Sequence, residues 1–315
     1  MRLIHCACAT PLLIDAAANL NLPAIPSRDD LRFLDEAARE ALPFDPTPSL
    51  DEIAASPSVA HLGDPTFAPQ QPEKRLRVIV SGSDAALSAV LARMMRADYL
   101  WAEVAYIPID TSSPAAHVWG LSGLSPADLE AVAVEGPVNP SPCIRTDRSE
   151  VVAGSAVLSN FDASSEYVGE VVVDSNVLIY RTGDVASASF YGQFGAKLVP
   201  TRTAPGIAAT RVVTALNARG ASRRSPAELQ RLADLPLGRF FTRRASVAPG
   251  LTDTTVMTGR AVQSGGINIR VTIDSVTRPR PVERVTFYRH LRDIQSVTLT
   301  ETPPESDAPQ APHTT

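Results

Sequence analysis

Arg77-Val-Ile-Val-Ser-Gly-Ser-Asp-Ala-Ala-Leu-Ser-Ala-Val-Leu-Ala-Arg93 is the stretch that decides the fold. Val78 to Val80 predicts a buried strand and Ser81 to Ala85 a tight turn of small residues. The spacing of Leu87, Val90, Leu91, Met94 and Met95 then predicts a helix with one buried face. In α/β proteins a strand–turn–helix unit of this kind aims backbone N–H groups and a helix N-terminus at phosphate. The chemistry of the turn is only half present. Phosphate-cradling turns carry several glycines so that backbone can approach the ligand, and here Gly82 stands alone among Ser81, Ser83 and Asp84.

Downstream, Trp101 to Ile107 predicts the next strand, ending at Pro108. A polar loop (Asp110 to Pro114) and a helix from about Ala115 to Leu121 follow. Ser125 as N-cap with Pro126 at the first helical position opens another helix. Upstream, residues 1–75 predict a helical, proline-rich appendage. Ser27 to Leu42 carries Leu31, Leu34, Ala38 and Leu42 on one face, Ser49 to Ile53 begins a second short helix, and prolines to Pro72 mark a linker. From Gly136 the texture changes to short β-branched runs between turn residues. These run through Val151–Leu158, Tyr167–Val173, Val177–Arg181, Ala196–Val199, Thr254–Val262, Ile267–Ile273 and Val282–Arg289, the spacing of two packed antiparallel sheets. The expected division is therefore residues 1–75, an α/β domain at 76–135, a β-sandwich-like domain at 136–300 and a disordered tail at 301–315.

Composition bounds the function. At 315 residues the chain is long enough for about two domains. A net charge of −5 and 5% aromatic residues give neither the field nor the stacking platforms that nucleic acid requires. Three cysteines, Cys6, Cys8 and Cys143, make no disulfide framework, which points to the cytoplasm. His5, Cys6 and Cys8 fall short of a four-ligand zinc site, so no metal is expected there. No apolar run approaches the roughly 20 residues that span a bilayer. The segment Met1 to Leu22 is a poor secretory signal, and a start site placed too far upstream is an equal reading. Residues 211–244 hold Arg211, Arg219, Arg223, Arg224, Arg231, Arg239, Arg243 and Arg244, a basic stretch suited to an anionic membrane surface or an acidic partner.

Two turns read together carry a family resemblance: Ser81-Gly-Ser-Asp-Ala-Ala86 and Pro108-Ile-Asp-Thr-Ser-Ser-Pro-Ala-Ala-His117, with Trp119-Gly120 after it. They lie one strand–helix unit apart, where consecutive parallel strands bring their C-terminal loops to one sheet edge. In this order the chain resembles the diacylglycerol kinase and NAD kinase-like superfamily. Gly82 and Asp84 match its Gly-Gly-Asp-Gly-Thr motif; Pro108, Thr111, Ala116 and Gly120 match its second loop. The resemblance implies that architecture, a nucleotide-binding site at Ser81, Gly82, Ser83, Thr111, Ser112 and Ser113, and catalytic carboxylates at Asp84 and Asp274. Asp274 stands in Ile273-Asp-Ser-Val276, the nearest match to the family's late Asp-Gly-Glu. It also implies ATP with magnesium, and a lipid or NAD as acceptor. A homodimer is a third, non-enzymatic reading, because family members often form dimers.

The departures point the other way. Ala85 and Ala86 replace a glycine and a threonine, Asp110 and Ser112 replace the glycines of the second loop, and Val276 cannot act as a base. Asp110 also puts negative charge where phosphate oxygens would lie. Taken alone, Asp84 reads as a helix cap or turn former and His117 as a structural histidine. The expectation is a catalytically impaired member that binds a ligand or partner in the interdomain cleft. The runner-up is an active kinase using Asp84, Thr111, Ser112 and Ser113.

Overall fold

A computed structural model describes residues 1–42, 63–182, 192–217 and 248–299, with positions 51, 55, 228 and 231. The helix expected at 49–53 apart from position 51, most of the arginine-rich stretch beyond Arg211, and the tail at 301–315 lie outside the described residues.

The first unit is a six-stranded sheet in the order β2-β1-β3-β4-β16-β5. Its strands are β1 (Arg2–Cys8), β2 (Ala18–Leu22), β3 (Leu76–Gly82), β4 (Glu103–Pro108), β5 (Val138–Ser141) and β16 (Ile294–Val297). All pairs are parallel except β16 with β5. The N-terminal segment is therefore no appendage: β1 pairs with β3 from Arg2↔Leu76 to Ala7↔Ser81, at the centre of the parallel sheet. The division expected at 135/136 is likewise corrected. β5 and β16 lie on the far side of it in sequence and hydrogen-bond in the first sheet, so the chain crosses between the two units twice.

Side chains alternate across a strand, and helices cover both faces of this sheet. On one face Ile4, Cys6, Cys8, Val78 and Val80 pack with Leu34 and Ala38 of α1 (Arg32–Ala41) and Leu87 and Leu91 of α2 (Asp84–Arg96). On the other lie His5, Ile79, Ser81 and the buried Arg77. The Arg77 guanidinium donates to the carbonyls of Ala133, Val134 and Gly136, at the C-terminal end of a helix over Pro126–Glu135. Its Nε also donates to Glu103 at 2.7 Å. A cation there meets the negative end of the helix dipole and the last unpaired carbonyls. The helix at Arg32 starts five residues later than Ser27 suggests. Ser27 and Asp30 instead close a turn of their own, each accepting from the other's backbone N–H.

The second unit is an antiparallel ten-stranded sheet. Its main path runs β12 (Thr252–Gly259), β11 (Ile207–Val212), β10 (Gly195–Pro200), β7 (Ala156–Asn160), β13 (Ala261–Ile273), β15 (Val282–Arg289) and β6 (Ile144–Thr146), with β8 (Gly169–Val173), β9 (Asn176–Arg181) and β14 (Val276–Thr277) attached. β13 changes partner along its length: residues 262–266 pair with β8 and 269–273 with β7. The ladder slips between Gly265 and Ile269, where Asn268 takes φ 51°. β8 and β9 come to lie against β12 and β11, so one sheet folds over on itself around Leu158, Val171, Ile179, Leu198, Val271 and Phe287. The sequence pattern predicts two sheets; the structure makes two layers from one continuous ladder, with β13 as the bend.

Candidate functional site

Both turns singled out from the sequence lie at the C-terminal edge of the parallel sheet, where α/β folds hold ligands. Ser83 caps α2, its Oγ accepting from Ala86 N at 3.3 Å, and Ser113 caps α3 (Pro114–Val118), accepting from Ala116 N at 3.2 Å. Gly82 is required by close approach: a Cβ there would sit 2.9 Å from Cys8 Cβ and 3.0 Å from Ala86 Cβ.

Asp84 is the first residue of α2, but its carboxylate serves α3. Oδ1 accepts from Ser113 Oγ at 2.6 Å and from the Tyr106 hydroxyl at 2.9 Å, and Oδ2 accepts from Ala115 N at 3.0 Å. The Tyr106 hydroxyl also lies 3.1 Å from the Gly82 carbonyl. The Tyr106 ring meets Trp119 edge-on with centroids 6.2 Å apart. Burial, with the Asp84 charge beside it, pushes the Tyr106 phenol up, so it stays a donor.

Asp274 sits at φ 46° and Ser275 at φ 70°, the two central residues of the turn joining β13 to β14. Both positive φ values suit a type I′ hairpin turn. The carboxylate turns inward onto three consecutive amides, accepting from Ala153 N (2.8 Å), Gly154 N (2.8 Å) and Ser155 N (2.9 Å). Gly154 packs directly on α3, where an added Cβ would come within 2.4 Å of Ala115 N. Burial outweighs the three amides and pushes Asp274 up to about 7, with the charge of Asp84 adding in the same direction. The two carboxylates and the backbone they hold thus fill the junction between the units. Ser88 Oγ adds a 2.5 Å hydrogen bond to the Val151 carbonyl.

Ser81 faces the other way, with its hydroxyl 2.7 Å from His5 Nε2 while His5 Nδ1 lies 2.6 Å from Asn19 Oδ1. Asn19 Oδ1 already accepts from Ile14 N, so it is an acceptor toward His5, which makes Nδ1 the protonated nitrogen and Ser81 the donor to Nε2. Burial holds His5 below its ordinary value. Ser112 is tied to Asp110, whose Oδ1 accepts from its N (2.8 Å) and its Oγ (2.6 Å), and those bonds hold the exposed Asp110 carboxyl low. Of the six residues expected to hold nucleotide, Ser81 is buried against His5, Gly82 is packed, Ser83 and Ser113 cap helices, and Ser112 closes its own loop. Thr111 is half-exposed, and among the described residues its side chain makes no hydrogen bond. His117 Nδ1 lies 2.9 Å from the Ser113 carbonyl, one turn back.

A solved diacylglycerol kinase from Bacillus anthracis str. Sterne superposes on this chain with a TM-score of 0.51 at 8% identity, covering 94% of this chain and 96% of that one. This chain shares the fold of that diacylglycerol kinase. An NAD kinase from Archaeoglobus fulgidus in complex with ATP aligns at 9% identity over 96% of this chain and 94% of its own, with a TM-score of 0.39. Yeast NADH kinase complexed with NADH aligns at 10% identity over 96% and 85%, with a TM-score of 0.42. Both superpose too loosely to bear on details here. No family model and no curated protein matches the sequence.

On this kinase fold the side chains do not fit ATP and magnesium. The oxygens of Asp84 already accept three hydrogen bonds, Asp274 accepts three more, and the exposed carboxylate of the second loop, Asp110, is negative. Among the described residues no three His, Cys, Asp or Glu side chains converge as a metal site. Cys6, Cys8 and Cys143 are buried free thiols, and burial pushes Cys8 up to about 11 and Cys143 up to about 12. Among the described residues no helix is long and apolar enough to cross a membrane. Arg211 is ion-paired with Asp253, and the rest of the basic stretch lies outside the described residues apart from Arg231.

The sequence does not single out Tyr106, the Ala153–Ser155 amides or the His5–Asn19 pair. Val152-Ala-Gly-Ser155 is a small-residue run like the first turn, and that likeness is the one signal that could have drawn attention to it.

Proposed function

We propose that this chain is a kinase-fold protein without competent phosphotransfer, which binds a ligand or partner at the junction of its two units. The observation that carries the reading is Asp84. Its two oxygens are taken by Tyr106, Ser113 and Ala115, so the carboxylate that would serve catalysis acts as a staple on α3. Three further features support it: the inward-turned Asp274, the Cβ atoms of Ala85 and Ala86 where the family's turn needs glycine and a hydroxyl, and the negative Asp110. The buried free thiols suit a reducing compartment, the cytoplasm.

The test is thermal stability of the full chain with ATP–magnesium, ADP and NAD at millimolar concentration. No change is expected. An active kinase would be stabilised by about 2.7 kcal/mol at a hundred times its dissociation constant, and a shift of that kind would overturn the reading.

A further inference from the structure

We propose that a cavity along α2, at the junction of the two units, binds a small amphiphilic anion, with the anionic group on Arg278 and the apolar part along Ala85, Ala89 and Ala92. This deepens the ligand-binding reading above and rests on it. The cavity has a volume of about 330 Å³, the small end of the range for ligand sites. At roughly 30 Å³ per water it holds the volume of about eleven waters, room for a chain of about ten non-hydrogen atoms and far too little for a two-chain lipid.

Part of its wall is apolar. Ala85, Ala89 and Ala92 recur at the spacing of one helix face, and their small side chains leave the space open. Ile273 and Val276 stand on the β side, with Ile25 at the N-terminal edge. Ile25 and Val276 are 49% and 46% exposed, apolar surface that a ligand would cover.

Arg28, Arg93, Arg96 and Arg278 line it together with one carboxylate, Glu150. Arg278 is 8% exposed. Its Nε and Nη2 donate to Glu150, and Nη2 lies 3.9 Å from Asp147. Its Nη1 is buried with no hydrogen-bond partner. A guanidinium N–H without an acceptor is a costly and uncommon state in a protein interior, and an oxygen carried in by a ligand would relieve it. Arg93 is neutralised by Asp35. Arg28 and Arg96, also lining the cavity, face no carboxylate at ion-pair distance among the described residues, so the positive charges exceed the negative ones. A partly apolar wall beside an unsatisfied arginine selects a single anionic head on a short hydrocarbon, not a polyphosphate.

The experiment is calorimetric titration of the full chain at pH 8 with decanoate, decyl phosphate and the neutral decanol, and separately with ATP–magnesium. At least one anion is expected to bind one-to-one and at least tenfold more tightly than decanol. The preferred head distinguishes a carboxylate from a phosphate monoester. Arg278→Gln is expected to weaken the anion about tenfold, about 1.4 kcal/mol, and to leave decanol unchanged. Ala89→Phe, on a partly open position of α2, is expected to abolish binding of all three while the protein stays folded. Equal affinity for decanol and the anions, an unaffected Arg278→Gln, or no binding by any of the three would overturn the proposal. ATP turnover in the same samples would overturn the absence of phosphotransfer without touching this site, so the two failures are distinguishable.

Discussion

Asp84→Ala separates a staple from a catalytic carboxylate by its effect on stability. The substitution takes the acceptor away from three donors at once. The Tyr106 hydroxyl keeps the Gly82 carbonyl at 3.1 Å as an alternative, and the partly buried Ser113 hydroxyl can turn to water. The Ala115 N–H has no such escape, being held between Asp84 and the close-packed Gly154. An unsatisfied buried donor costs about 1–3 kcal/mol, and the partial losses at Tyr106 and Ser113 bring the expected total to about 2–4 kcal/mol. Asp84→Asn retains the shape. Its Oδ1 can accept from Ala115 N while its amide donates to the hydroxyls of Tyr106 and Ser113, which can accept, so the expected cost is about 1 kcal/mol. Urea unfolding of the wild type and both variants, followed by far-ultraviolet circular dichroism and tyrosine fluorescence, measures the difference. The staple requires alanine to cost clearly more than asparagine. A catalytic carboxylate kept at the expense of stability predicts that both variants are neutral or stabilising. That outcome would refute the reasoning.

Asp274 sets a pH dependence. Its folded value of about 7 lies above the ordinary 3.8, so between those values the folded chain keeps a proton that the unfolded chain releases. Stability from this group is full below about pH 3.8 and falls as pH rises to about 7, by on the order of 4 kcal/mol. Asp274→Asn is expected to remove that fall, so that the difference in stability between variant and wild type slopes across the window, read by urea unfolding at successive pH values. A difference curve without slope there would count against the buried carboxylate. Arg77→Met takes the donor from the last carbonyls of the Pro126–Glu135 helix and leaves Glu103 with Arg75 alone, and is expected to cost about 3–5 kcal/mol, measured by the same unfolding; a cost under 1 kcal/mol would contradict the buried network. Asp110→Gly combined with Ala85→Gly removes the exposed charge and one Cβ. The expected result is measurable ATP–magnesium binding by calorimetry without turnover, because Asp84 remains engaged, and turnover in this variant would show that glycines alone disable the site.

The strand–turn–helix at 77–93 is legible in the sequence because its signals are local: a buried β-branched run, a serine cap and helical spacing. β1 is not legible. Arg2-Leu-Ile-His-Cys-Ala-Cys8 becomes a central strand only through its parallel register with β3, more than 70 residues away. β5 and β16 escape for the same reason, since Val-Asn-Pro-Ser and Ile-Gln-Ser-Val carry no strand period and gain their place by pairing with each other and β4. At the site, Asp84 and Asp274 stand out by residue type and position. Their bonding does not: the amides that Asp274 meets lie 119–121 residues upstream. Residue identity marks where a carboxylate sits, and tertiary packing decides whether it is free to react.

The most direct test is transfer of label from γ-labelled ATP–magnesium to NAD or to diacylglycerol vesicles, with the full chain in excess and Asp84→Asn alongside. The expected result is no labelled product above the level given by Asp84→Asn. Labelled product formed by the wild type and lost in Asp84→Asn would contradict the account, because the Asp84 carboxylate would then be reacting as well as holding α3.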